Sequence, residues 1–163
     1  MATQEEERNV ATVVKYFTEF WGKANPDVVD ETCADDFVMN YPMHGIRNGK
    51  EEAKKMLRDL KEAFPDLTFS VYQHPIIASG EHVVGRWIGG GTHTGGAFHD
   101  VPVGGLDKPA SGKKMHFSGI TIFTLRNGKI VDETGEEGAL TALQQLGALP
   151  GPNPGKEIKY LYE

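Results

Sequence analysis

Between Arg126 and Gly147 the chain reads as a hairpin turn, an extended strand and a short amphipathic helix, with acidic residues crowded where strand meets helix. A carboxylate fixed at such a junction beside an apolar interior can serve as a general base, because burial disfavours its charged form and lifts its pKa toward neutrality. Glu136 and Glu137 stand there. They are equally the first-turn acids that a helix dipole favours. Arg86 and His93 lie seven residues apart on one extended segment, which puts them on opposite faces of a strand unless a bulge intervenes. The glycine run Gly89-Gly90-Gly91 between them predicts that bulge. His93 ranks second for acid/base chemistry and His44, in Tyr-Pro-Met-His-Gly, third. The plainer alternatives are a satisfied strand histidine at His93 and a structural or subunit-interface ion pair at Arg86. A metal on His93, His99 and Asp100 lacks a fourth ligand in its glycine-rich loop, so no metal is expected there.

The elements that must hold these groups follow from periodicity. Thr3-Gln4-Glu5-Glu6 has the form of a capping box, and Val10, Val13, Val14, Phe17, Phe20 and Trp21 then recur at helical spacing for about five turns. Gly22 and Asn25-Pro26 stop that helix. A short second helix is expected from Asp27 through Cys33, then a strand over 35–41 ended by Pro42. A third helix fits 50–64, with Ala53, Met56, Leu57, Leu60 and Phe64 on one side and Pro65 closing it. Beyond Pro65 the period becomes two: a strand at 67–71, long strands over 82–95 and 113–125, and a last one over 129–134. Gly80-Glu81 and Asn127-Gly128 are hairpin links, so the strands should run antiparallel. Helices followed by strands make an α+β domain over 1–149. The 96–112 segment, carrying Phe98, Val101, Val103 and Leu106, is expected to be an apolar lid or a partner contact. A Pro/Gly linker and tail occupy 150–163.

Composition narrows the function classes. A 163-residue chain with 39% hydrophobic and 25% charged residues can bury one core. The formal charge of −6 argues against nucleic acid as a partner. The single cysteine, Cys33, excludes an internal disulfide and any multi-cysteine zinc site. Glu5-Glu6-Glu7 does not fit a signal or transit peptide, and no apolar run approaches the ~20 residues of a membrane span. A cytosolic protein that does not engage membranes is the expectation.

Phe64-Pro65-Asp66-Leu67, Val84-Gly85-Arg86-Trp87, Gly91-Thr92-His93-Thr94-Gly95, Phe117-Ser118-Gly119, Asn127-Gly128-Lys129-Ile130 and Gln144-Gln145-Leu146-Gly147 occur in this order. With Ser111-Gly112-Lys113 they make residues 8–149 resemble the SnoaL-like polyketide cyclases, within the nuclear transport factor 2-like superfamily. The resemblance implies a conical α+β barrel, a curved antiparallel sheet wrapped around three N-terminal helices, with a deep apolar pocket. It implies a small-molecule substrate, a homodimer or higher homo-oligomer, and metal- and cofactor-free ring closure or proton shift by one carboxylic acid near the end of the last strand. Many relatives carry Trp there and Asp four positions later. Ungapped, those places fall on Thr134 and Gly138. A slip of one residue brings Glu137 to the acid's place, with Glu136 as its rival. The pocket wall is then drawn from Phe17, Trp21, Met39, Tyr41, Phe64, Trp87, Phe98, Phe117 and Thr134, several of which are core residues on the plainer reading. A non-catalytic binding or dimerisation module, or another lyase or hydrolase chemistry, is the alternative.

Overall fold

The hydroxyl of Thr3 accepts from the Glu6 amide while the Glu6 carboxylate accepts the Thr3 amide, so the expected capping box starts α1 (Gln4–Tyr16). The single helix expected through Trp21 changes pitch at its end, and Phe17–Gly22 is a π-helical segment. A π turn holds an extra residue, and here Tyr16, Phe17, Phe20 and Trp21 all reach the interior. The rest of this computed structural model, which describes residues 2–160, is α2 (Val28–Thr32), β1 (Cys33–Tyr41), β2 (Gly45–Asn48), α3 (Gly49–Ala63), β3 (Thr68–Val71), β4 (Ile77–Ser79), β5 (His82–Thr92), β6 (Lys114–Arg126), β7 (Lys129–Glu137) and α4 (Ala139–Leu146). The short strands β2 and β4 were not foreseen, and Cys33 opens β1 instead of closing the second helix. No helix among the described residues is long and apolar enough to cross a membrane.

The fold is α+β, with one seven-stranded sheet in the order β2-β1-β7-β6-β5-β3 and β4 on the side of β5. The order has two free ends, so the curved sheet is not closed into a barrel. It is also mixed. Every other pairing is antiparallel, but β1 runs parallel to β7, with Val38 opposite Asp132 and Asn40 opposite Thr134. Parallel partners need a long connection, and here it is all of β2 through β6. The helices α1, α2 and α3 cover one side, while α4 packs on β6.

Two local expectations change. The register of β5 with β6 is unbroken from His82↔Thr124 to Thr92↔Lys114, so the bulge expected at Gly89-Gly90-Gly91 is absent. The glycines answer crowding instead: a Cβ on Gly89 would lie 2.3 Å from the Thr68 carbonyl oxygen, and one on Gly90 2.0 Å from that of Met115. The strand β7 runs on to Glu137, three residues beyond the expected end, and Gly138 is the N-cap of α4. Glu136 and Glu137 are therefore strand residues, and the helix-dipole account of them fails. Asn127 and Gly128 both take positive φ, 53° and 73°, as the tight turn before β7 requires.

The 96–112 segment is tied to the fold at both ends and bridged within itself. Phe98 and Leu106 form an antiparallel bridge, Gly95 donates to the Ala63 carbonyl, and Gly112 donates to the His93 carbonyl. Residues 150–160 hold no helix or strand, and 161–163 of the expected tail lie outside the described residues.

Candidate functional site

Side chains alternate along β7. Glu133, Gly135 and Glu137 face the interior, whereas Thr134 and the exposed Glu136 face the other way. Glu137 reaches a narrow cavity whose wall also includes Phe17, Trp21, Tyr41, His44, Trp87 and Phe117. Measured to the centre of a water-sized sphere its volume is about 20 Å³, room for about one water. Met39, Phe64 and Phe98, expected in this wall, are buried elsewhere in the core, and Phe64 meets Phe98 edge to face at 5.3 Å. In their place the cavity takes Met43, Leu60, Phe69 and Met115.

The hairpin between β1 and β2 delivers the polar partners of Glu137. The Met43 amide donates to Glu137 Oε1 at 2.8 Å. Burial pushes the Glu137 carboxyl up from its ordinary value, opposed by neighbouring His44 and by the Met43 hydrogen bond. His44 itself lines the cavity, its side chain 5% exposed, with Nδ1 3.2 Å from Asp100 Oδ2. The other Asp100 oxygen accepts from Arg47 at 2.5 Å. Partial burial raises the Asp100 carboxyl, but the hydrogen bonds from His44 and Arg47 outweigh it and hold the group below the usual range.

Behind the aromatic wall stands a second carboxylate. Glu133 is fully buried and accepts from Tyr16 (2.5 Å), Trp21 Nε1 (2.7 Å) and Tyr41 (2.7 Å). Thr121 Oγ1 is 2.8 Å from the Tyr41 hydroxyl and accepts Trp87 Nε1 at 2.8 Å. Three aromatic residues of the cavity, Trp21, Tyr41 and Trp87, are thus held from behind by their polar tips. Desolvation pushes the Glu133 carboxyl up to about 7, against the pull of its three donors. A Cβ on Gly135 would come within 2.1 Å of the Tyr41 ring. Because Tyr41 is tied down at its hydroxyl, Gly135→Ala is expected to destabilise by about 1–3 kcal/mol through overpacking, visible as a lowered midpoint in thermal unfolding.

His93 and Arg86 stand apart from this cavity. His93 is buried at the base of the 96–112 segment, where Nδ1 accepts the Ser111 amide at 3.3 Å and Nε2 donates to the Gly96 carbonyl. Both ring nitrogens are engaged, and His93 is not among the residues that line the cavity. Arg86 lies on the outer face of β5, over the Tyr72 ring at 4.8 Å. Nor do His93, His99 and Asp100 converge, since His99 is exposed, with Nδ1 3.6 Å from Asp107. Of the sequence candidates, the fold unites Glu137, His44, Phe17, Trp21, Tyr41, Trp87 and Phe117. Sequence reasoning overlooked Glu133, Arg47 and the pairing of Asp100 with His44. Period two along β7 could have found Glu133, which shares a face with Glu137.

A family model described as SnoaL-like polyketide cyclase matches residues 11–146. A candidate SnoaL-like polyketide cyclase from Jannaschia sp. CCS1 is 27% identical over 92% of this chain and 99% of its own, with a TM-score of 0.75. AclR, a candidate hydroxylase from Streptomyces galilaeus, is 19% identical over 91% and 87% of the two chains, with a TM-score of 0.72. An LEH-like epoxide hydrolase from M. tuberculosis is 16% identical over 87% and 91%, with a TM-score of 0.62. No protein of curated function matches this chain by sequence.

Proposed function

Since the chain belongs to the SnoaL-like polyketide cyclase family, we propose that it is a cofactor-independent cyclase or isomerase in which Glu137 is the acid/base group. One observation carries this reading: the cavity brings a carboxylate with a raised pKa against aromatic and aliphatic walls. Such a group holds a proton more readily than an ordinary carboxylate, which suits it to take one up and to return it. In ring closure, Glu137 takes the proton from a carbon between two carbonyls and the C–H electrons move onto a carbonyl oxygen. The enolate carbon then attacks a second carbonyl of the same molecule, forming the C–C bond. The new alkoxide recovers the proton from Glu137. A proton shift uses the first and last of these steps alone. A cavity of about 20 Å³ admits a polycarbonyl chain only as its lining side chains move apart.

Deuterium wash-in tests the first step. A 2-alkyl β-keto ester has one exchangeable proton between two carbonyls, and in D₂O its exchange should be accelerated by the protein and saturable. No acceleration over buffer would remove proton abstraction from the reading. A cavity of one-water size also suits activation of water by the same carboxylate, so hydrolysis is the second reading. Turnover of a small epoxide without keto-ester exchange would favour it. The same family reading expects a homodimer, and it is supported by Ile120 and Ile122, 49% and 47% exposed on the outer face of β6. Light scattering at the monomer mass would count against the dimer.

A further inference from the structure

Proton abstraction beside a carbonyl leaves negative charge on oxygen, and that oxygen needs a hydrogen-bond donor. The aromatic donors of the cavity are already committed: Trp21 and Tyr41 to Glu133, and Trp87 to Thr121. The Met43 amide donates to Glu137 itself. Among the polar side chains of the wall, that leaves His44. Its Nδ1 faces Asp100, and its Nε2 has no hydrogen bond among the described residues. A ring that bonds a carboxylate through Nδ1–H and donates from Nε2–H carries both protons, and so needs a counter-charge beside it.

We propose that Asp100 is the positioning residue of this site: it fixes the ring and the charge of His44 so that Nε2–H donates to the oxygen on which negative charge develops. This rests on Glu137 as the base. Arg47, reaching from β2, occupies one oxygen of Asp100 and turns the other to His44. The charged groups around the ring are thus Asp100 from the 96–112 segment and Glu137 from β7, with Arg47 on the far side of Asp100. The Phe98–Leu106 bridge braces the backbone on both sides of Asp100. The segment that sequence suggested as a lid therefore supplies a part of the site.

The test pairs ¹H–¹⁵N correlation spectra of the histidine rings with keto-ester exchange, at about pH 7, for the native protein and Asp100→Asn. In the native protein His44 should show Nδ1 protonated and bonded to a carboxylate. In Asp100→Asn that signal should be lost, and kcat should fall at least about tenfold with KM unchanged within about twofold. Asp100→Glu, which keeps the charge, should recover part of both. Unaltered His44 signals in Asp100→Asn, or an unaltered kcat, would overturn the proposal. If Glu137→Gln keeps the native rate while Asp100→Asn still shifts the His44 signals and lowers kcat, the base assignment is lost and the positioning of His44 stands.

Discussion

Glu137→Gln should lower keto-ester exchange by about 10²–10⁴-fold, the usual contribution of a positioned general base. The amide is nearly isosteric, and its oxygen can still accept the Met43 N–H that now reaches Glu137 Oε1 at 2.8 Å. Thermal unfolding should therefore shift little, which separates loss of the base from loss of the fold. The control is Glu136→Gln. Its side chain is exposed on the opposite face of β7, so the rate should not change. In the native protein the rate should rise with pH through a midpoint above 4.5, because burial raises the Glu137 carboxyl from that ordinary value and only the carboxylate accepts a proton. Native exchange in Glu137→Gln would transfer the role to another group.

Glu133→Leu should be the most damaging substitution for stability. It leaves the Tyr16 hydroxyl and the Trp21 Nε1–H buried with no acceptor, and the Tyr41 hydroxyl with Thr121 alone. Each orphaned buried donor costs about 1–3 kcal/mol, and together they should cost about 3 kcal/mol or more. That corresponds to a fall in Tm of roughly 6–12 °C for a chain of this size. The opposing effect is relief of a buried charge, and pH decides its weight. Unfolded, the carboxyl titrates near its ordinary 4.5, whereas folded it titrates at about 7. Below 4.5 both states hold the proton and the contribution of this group is complete. Between 4.5 and 7 the unfolded chain ionises first and stability falls; above 7 the loss levels off. The gap between native protein and Glu133→Leu should accordingly be wider at pH 5 than at pH 8. In Glu133→Gln the 4.5-to-7 decline should vanish. Urea unfolding at the two pH values measures both, and an equal gap at pH 5 and pH 8 would show that Glu133 does not titrate in this window.

The parts of this fold visible in the sequence are those set by local rules. The Thr3 capping box, the helix of 50–64, the Asn127-Gly128 turn and the period-two strands each announce themselves within one short stretch of chain. What escaped depends on partners distant in the chain. The parallel β1–β7 pairing has no sequence signal of its own, and the glycines of β5 reflect neighbours at Thr68 and Met115 rather than a bulge. His93 looked chemical because of its residue type, yet both its nitrogens are taken by the segment it anchors. Glu137 was within reach through the family resemblance and a slip of one residue, whereas the strand alternation that separates it from Glu136 emerged only because β7 runs on to Glu137. The Asp100–His44 contact was not, because the two are 56 residues apart in the chain.

The parallel pairing of β1 with β7 also dictates when this protein can become itself during translation. Met43 and Glu137, which share a hydrogen bond, are 94 residues apart, and Tyr16 and Glu133 are 117 apart. At about 5–20 residues per second, roughly 5–20 s separate the synthesis of Met43 from that of Glu137. Until then a nascent chain holding α1 through β6 lacks the strand that unites β1 with β6. It also lacks both interior carboxylates, so Tyr16 and Trp21 wait for an acceptor that arrives only with β7. A chain cut short before β7 would expose its aromatic interior to chaperones and proteases. Quality control and assembly of the cavity thus depend on the same final strand.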